Sequence, residues 1–254
     1  MSNKNNKKPT YRLALEYKSK VADKNKTLFV VLFQTFASIK GTDNDALEPV
    51  AWIIAEVTDK QPPVSVEYQE TYNVAIVDYF DQDEIGVIKS SQILPTELGR
   101  SWFLDHVAQY DKNKIKPANP NHLVITNNSI SDERVGVGMY GKLSLLLKLN
   151  AIQRRENELR AVGGKKEDPR EIKGLPVNSK VDFEVSPQYY LGVFEKIEVG
   201  QLISTAKLIS KPAKVEFPIA IFNATATIFD LNTGKDDILY DITIEYPPIR
   251  SEKL

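Results

Sequence analysis

Four groups of residues in this sequence are of types that can do chemistry, and each would need a particular setting. Asp78, Asp81, Asp83 and Glu84 crowd one short segment, and carboxylates gathered in a tight turn are what a hard cation such as Ca²⁺ requires. The spacing is not that of an EF-hand loop and no glycine stands at that loop's turn position, so a solvated loop between strands is the expectation. His106 and His122 are the only histidines. A metal site would need them to converge with carboxylates, and a hydrolytic triad would need a serine beside one of them. Neither lies in such a motif, and each is expected to be a packed or half-exposed side chain.

The glycines of RVGVGMYGK (134–142) invite comparison with phosphate-binding loops. They fit neither G-x-G-x-x-G nor G-x-x-x-x-G-K-[ST], and no parallel βαβ unit surrounds them. Gly136, Gly138 and Gly141 instead interrupt a strand pattern, where glycine marks a bulge or the close approach of another backbone. The last group is aromatic. Tyr68, Tyr72, Tyr189, Tyr190, Tyr240 and Tyr246 could make a stacking platform for sugars, although aromatics in strands ordinarily pack cores and edges. No basic residues interleave with them as in single-strand nucleic-acid binders. The sequence therefore assigns no catalytic residue, no cofactor-binding residue and no metal ligand, and no cofactor is expected.

The elements that carry these residues have a period of two. In TYRLALEY (10–17), Tyr11, Leu13, Leu15 and Tyr17 fall on one face, with Arg12 and Glu16 on the other. TLFVVLFQTF (27–36) is apolar on both faces, which predicts a central strand covered on each side. From Val64 to Ile76 every even position is apolar except Glu70. That pattern predicts one long strand bent near Glu70, or two strands in near-continuity. Val177, Val181, Phe183 and Val185 alternate with polar residues, as do Ala213, Val215 and Phe217; Ile238, Tyr240, Ile242, Ile244 and Tyr246 then alternate with Leu239, Asp241, Thr243 and Glu245. Asn232-Thr233-Gly234 is a hairpin signal before the last of these strands. Repeated one-sided alternation predicts an all-β fold, an antiparallel two-sheet β-sandwich.

One segment departs from that pattern. AIQRRENELRAVGG (151–164) follows Asn150, a fitting N-cap, has Glu156 and Arg160 at helical spacing, and ends in two glycines. With KKEDPREIKG (165–174) it predicts one inserted short helix plus a charged loop at 151–175. The chain is thus expected to be a single β-sandwich domain over 1–254, with a disordered tail at 1–9.

Composition narrows the function classes. The 254 residues include 33 Lys+Arg against 34 Asp+Glu, so the net field that gathers nucleic acid or anionic lipid is missing. Cysteine is absent, which excludes disulfides, thiolate–zinc sites and a cysteine nucleophile. The basic segment NKNNKK (3–8) leads into alternating YRLALEYK with no apolar run of signal-peptide kind, and no stretch is long and apolar enough to span a bilayer. A cytoplasmic protein that binds no nucleic acid and inserts in no membrane is expected.

Several segments in order resemble the rhizosphere-induced RhiA-type proteins. VVLFQTF (30–36) resembles that family's early Phe-Gln strand, and PVAWIIAE (49–56) its Leu-Ala-Trp strand, with Trp52 in the tryptophan position. VEYQETYNVAI (66–76) is similar to its Trp-x-x-x-Tyr-x-Phe-x-Trp strand, and SSQILP (90–95) to a Ser-Gln-x-x-Pro turn. RVGVGMYG (134–141) resembles its Val-Gly-Ile-Gly-Met-Ser-Gly run. SPQYYLGVF (186–194) and KVEFPIAIFNATATI (214–228) resemble its closing Pro-x-Tyr-Trp and Phe-Pro strands. Tyr68 and Ile76 stand where tryptophans are expected, the 151–175 insert has no counterpart, and the C-terminal strand is extended. The resemblance implies a shared β fold over roughly residues 28–229, and a structural or binding role without catalytic residues.

Together these readings lead to a non-enzymatic structural or interaction protein, self-associating or scaffold-like. Its partner would be itself, as a homo-oligomer or larger assembly, or another protein, joined through sheet edges or the insert. The alternative is a glycan- or small-molecule-binding, lectin-like sandwich. That alternative predicts an aromatic cluster rimmed by polar side chains.

Overall fold

The structure, a computed structural model, describes residues 8–19, 26–40, 47–59, 61–79, 88–105, 109–110, 116–117, 119–128, 134–139, 142–148, 178–231 and 239–248. Most of these lie in strands. There is no α-helix among them, only a 3-10 turn at Ile203–Thr205. No helix among the described residues is long and apolar enough to cross a membrane. The expected insert at 151–175, the hairpin turn at 232–234 and residues 1–7 of the tail lie outside the description.

The strands divide among three sheets, not the two expected. The first holds β1 (Thr10–Lys18), β5 (Val64–Gln69), β16 (Asn223–Asp230) and β17 (Tyr240–Glu245) in the order β17-β16-β1-β5. The second contains β2 (Thr27–Lys40), β4 (Ile53–Thr58), β8 (Arg100–Asp105), β10 (Lys116–Pro117), β11 (His122–Asn127) and β14 (Ser179–Phe194). Its order is β10-β8-β11-β14-β2-β4, with β15 (Ala213–Val215) paired to β14 and β9 (Gln109–Tyr110) to β8. The third is β3 (Leu47–Pro49), β6 (Tyr72–Tyr79), β7 (Ile88–Thr96), β12 (Arg134–Met139) and β13 (Lys142–Lys148), ordered β3-β13-β12-β6-β7. Among the described pairings β1–β16 and β8–β11 are parallel and the others antiparallel.

The first and second sheets bury their apolar faces against each other. Leu13, Leu15 and Tyr17 of β1 join Ala226 and Ile228 of β16 on one side, and Leu28, Val30 and Leu32 of β2 join Leu191 and Val193 of β14 on the other. The faces of β1 alternate as the sequence requires: Arg12 points outward, its Nε 2.8 Å from Glu67 Oε1 on β5. Each large apolar side chain taken fully out of water contributes ~1.5–3 kcal/mol, so this interface dominates the stability of the unit.

β2 is covered on both faces, as its continuous apolar run predicts. Its other face puts Val31 and Phe33 into a second cluster with Ala51, Phe194 and Ile197. The chain after β14 folds back to close that cluster. Its anchors are the Val50–Leu202 and Phe194–Leu208 bridges and the Ala51 N–H donating to the Gln201 carbonyl at 2.8 Å.

The Val64–Ile76 pattern resolves into two strands. β5 pairs with β1 in the first sheet, whereas β6 pairs with β7 and β12 in the third. Between them Glu70 leaves the ladder, and the Thr71 N–H turns back to the Gln69 carbonyl at 2.8 Å. SSQILP, similar in sequence to a turn, is part of strand β7. Its Ile93 pairs with Ala75, and its Pro95 is exposed near the end of an edge strand, where a missing N–H costs no ladder bond.

Candidate functional site: an aromatic cleft around Glu70

Where β5 gives way to β6, the first two sheets part and leave a cleft of about 290 Å³ between β1 and the β14–β15 pair. Strand register sets its walls. Tyr11 on β1 lies opposite Tyr68 on β5, and their rings stack with centroids 5.3 Å apart. Tyr189 on β14 is held opposite Val215 of β15. Phe217, just past β15, closes over Tyr11 at 4.9 Å.

Beneath this rim the aromatics form a continuous buried layer. Tyr68 lies 5.1 Å from Tyr189 and 5.1 Å from Trp52, and Trp52 stacks on Tyr189 at 6.1 Å. Such pairs add ~0.5–1.5 kcal/mol each beyond area burial, so the floor of the cleft is rigid.

The polar groups are few and specific. Glu70 Oε1 accepts the Tyr189 hydroxyl at 3.2 Å, and the Glu70 main-chain carbonyl accepts the Lys8 ammonium at 2.6 Å. Lys8 Nζ also sits 5.2 Å from the centre of the Tyr72 ring. Gln188 Oε1 accepts the Tyr190 hydroxyl at 2.9 Å, so the amide N–H groups are not engaged by that bond. Lys214 is ion-paired with Glu216, and the hydrogen bond to that carboxylate raises the lysine's pKa. The Glu216 N–H donates to the Tyr246 hydroxyl at 2.9 Å, which pins the edge of the cleft to the chain after β17.

Burial, and after it the charge of Glu70, raises the pKa of Tyr11, Tyr68, Tyr72 and Tyr189 above the usual 10.0. One carboxylate therefore acts on all of these phenols. They remain neutral at physiological pH and can act as hydrogen-bond donors. Burial is most complete at Tyr68, whose hydroxyl has no hydrogen-bond partner among the described residues.

The residues singled out in the sequence are placed unevenly. Tyr68, Tyr72, Tyr189 and Tyr240 are buried, so the exposed six-tyrosine platform does not form; Tyr190 and Tyr246 are half-buried. Tyr189 lines the cleft and Tyr68 underlies it. Asp78 lies in β6, whereas Asp81, Asp83, Glu84, His106 and Gly141 fall outside the described residues. His122, half-buried on β11, has Nδ1 2.6 Å from Asp182 Oδ1 on β14 and does not line the cleft. Gly136 and Gly138 lie in β12, whose register against β13 shifts between Val137 and Gly138, with Ser144 of β13 left out of the pairing. Among the described residues no three His, Asp or Glu side chains gather to hold a metal.

Sequence reasoning treated Glu70, Tyr11, Phe217, Lys214 and Glu216 only as pattern, and did not weigh Gln188. One signal was present, since Glu70 is the sole exception to an apolar even-numbered run.

A larger groove of about 520 Å³ runs over the outer face of the first sheet past Arg12, Ser65, Asn223 and Glu245. Of aromatic rings it has only Tyr246, and its lining is mostly small or polar.

These features define an all-β protein with an aromatic, carboxylate-centred cleft at the junction of its sheets. A family model described as RhiA matches residues 8–234, and the chain belongs to that family. No curated protein and no solved structure matches the chain.

Proposed function

We propose that this protein is a non-enzymatic interaction protein that holds a small polar molecule in the Glu70 cleft. The observation that carries this reading is the combination in one cavity of Tyr11 and Phe217 ring surface with the Glu70 carboxylate and the Gln188 amide. The exposed lining is more polar than apolar, so the site suits a polar ligand held by convergent hydrogen-bonding groups against a small area of ring surface. A cavity of about 290 Å³ is at the small end of the range for such sites, ~300–1,000 Å³, and suits one sugar ring or a compact amine. Neutral, buried tyrosines supply binding contacts in place of a nucleophile or base.

The test is a melting-temperature screen of the full chain against monosaccharides and small amines, repeated on Tyr11→Ala and Phe217→Ala. A ligand that binds the folded and not the unfolded chain raises the melting temperature, by a stabilisation that grows as RT ln(1 + L/Kd), with L the free ligand concentration. A shift in wild type that both variants lose supports the cleft, and a screen with no shift overturns it.

A second reading, self-association into a scaffold, is favoured by a different feature. The turn Pro218–Ile221 presents Ile219 at 96% exposure beside Phe222 at 40%. Light scattering over a concentration series separates the two readings. Growth in particle size that Ile219→Ser removes would support assembly, and a monomer at every concentration would end it.

A further inference from the structure

The lining of the cleft carries one more carboxylate than cation, and the nearby Lys8 ammonium bonds the Glu70 main chain rather than its carboxylate. The ionisable lining comprises Glu70, Glu216 and Lys214 beside the tyrosines, and Lys214 is already held by Glu216. Among the described residues no cation is ion-paired with the Glu70 carboxylate. Its one side-chain contact there is the neutral Tyr189 hydroxyl.

The chain itself indicates what this corner accepts. The Lys8 ammonium comes to the Glu70 main-chain carbonyl and to the face of Tyr72, the oxygen-plus-ring arrangement in which cations bind aromatic proteins. Inside the cleft the same chemistry is laid out around the side-chain carboxylate, with the Tyr11, Tyr189 and Phe217 rings about it. The buried aromatic floor lowers the local dielectric, which strengthens attraction for a cation and repulsion of an anion.

We propose that the cleft takes a small organic cation, with a primary or quaternary ammonium group seated between the Glu70 carboxylate and the Tyr11 and Phe217 rings. The Gln188 amide donors are placed to bind a hydroxyl or carbonyl on the same ligand. This rests on the reading of the cleft as a ligand site, and goes further by fixing the charge of the ligand.

The experiment uses the full chain and two probes of equal shape, choline chloride and its uncharged isostere 3,3-dimethylbutan-1-ol, titrated by NMR. Choline is expected to bind at least tenfold more tightly than the isostere. Glu70→Gln, which keeps an acceptor for Tyr189, is expected to bring choline to the isostere's level, and Tyr11→Ala to weaken both probes. Choline binding should also weaken as sodium chloride is raised.

Equal binding of the two probes to wild type overturns the cationic ligand even if Glu70→Gln fails to fold. If Tyr11→Ala still weakens both probes in that case, the cleft stands as a site for a neutral molecule. Silence from choline, n-butylamine and a glucose–galactose pair alike overturns both the charge and the cleft.

Discussion

Tyr68 and Tyr189 have rings 5.1 Å apart in the same buried layer, yet removing their hydroxyls should change stability in opposite directions. The Tyr68 hydroxyl is buried without a partner among the described residues, and a stranded buried donor costs ~1–3 kcal/mol of desolvation. Tyr68→Phe keeps the ring, its stacking on Tyr11 and its edge contact with Trp52, and deletes only that cost. We expect a gain near the lower end of the range, ~1 kcal/mol, because the emptied space leaves a small void. Tyr189→Phe deletes a donor to Glu70 Oε1 at 3.2 Å. Bonds to charged acceptors are worth ~1.5–3 kcal/mol, but this one is long and Glu70 is only half-buried, so a loss of ~1 kcal/mol is expected. In a chain of this length 1 kcal/mol moves the melting temperature by ~2–4 °C. Thermal melts at pH 7 should therefore place Tyr68→Phe above wild type and Tyr189→Phe below it. The double variant should fall near wild type if the hydroxyls act independently. A loss of 1 kcal/mol or more in Tyr68→Phe would refute the reasoning, because it would mean that the phenol makes a bond of its own.

Three further perturbations test the packing and the electrostatics. A Cβ added at Gly192 would lie 2.8 Å from Leu208 Cδ1 and 3.1 Å from Phe194 Cε2; Gly192→Ala should cost ~1–3 kcal/mol as the second core cluster gives way, and an unchanged melt would show that Leu208 swings clear freely. Tyr68, Tyr72 and Tyr189 all have folded-state pKa values raised above 10.0, so above pH 10 the unfolded chain binds fewer protons than the folded one and stability falls as pH rises. The slope should be ~1.4 kcal/mol per pH unit for each such phenol and near zero for them below pH 10, with Tyr72→Phe lowering it by one proton's worth; a slope that Tyr72→Phe leaves unchanged would contradict this. Replacing 152–174 by a Gly-Ser bridge should leave cooperative melting intact, since that segment has little apolar periodicity, and a lost transition would make it part of the core.

The sequence pattern reaches the strands more readily than their partners. Alternation in 10–17 and in 213–217 predicts which side chains are buried, and the two-faced run of 27–36 predicts a covered strand, because burial acts on each residue where it stands. Sheet membership depends on pairings between distant segments. Nothing near Arg12 announces that β1 will run parallel to β16, opposite Asn223, and a period of two cannot separate two sheets from three. The tyrosines show the same limit. Tyr68 and Tyr189 both lie in strand-like segments of the sequence, but only the meeting of β1, β5, β14 and β15 decides that one underlies a cleft and the other lines it.

Glu70 marks the point where local pattern and distant geometry meet. A carboxylate at an apolar position of a continuous strand would be driven into the core, at a cost that burial of an unpaired charge makes prohibitive. The chain avoids this by leaving the ladder at Glu70 and passing β6 to another sheet, so the carboxylate is only half-buried while its neighbours Tyr68 and Tyr72 are covered. The break that resolves the conflict also opens the gap between the sheets, and it leaves a charged group at the mouth of an aromatic layer. Replacing Glu70 by an apolar residue should then favour a straighter β5–β6 connection and a narrower cleft. The position that interrupts the apolar register is thus the one on which ligand binding is expected to depend.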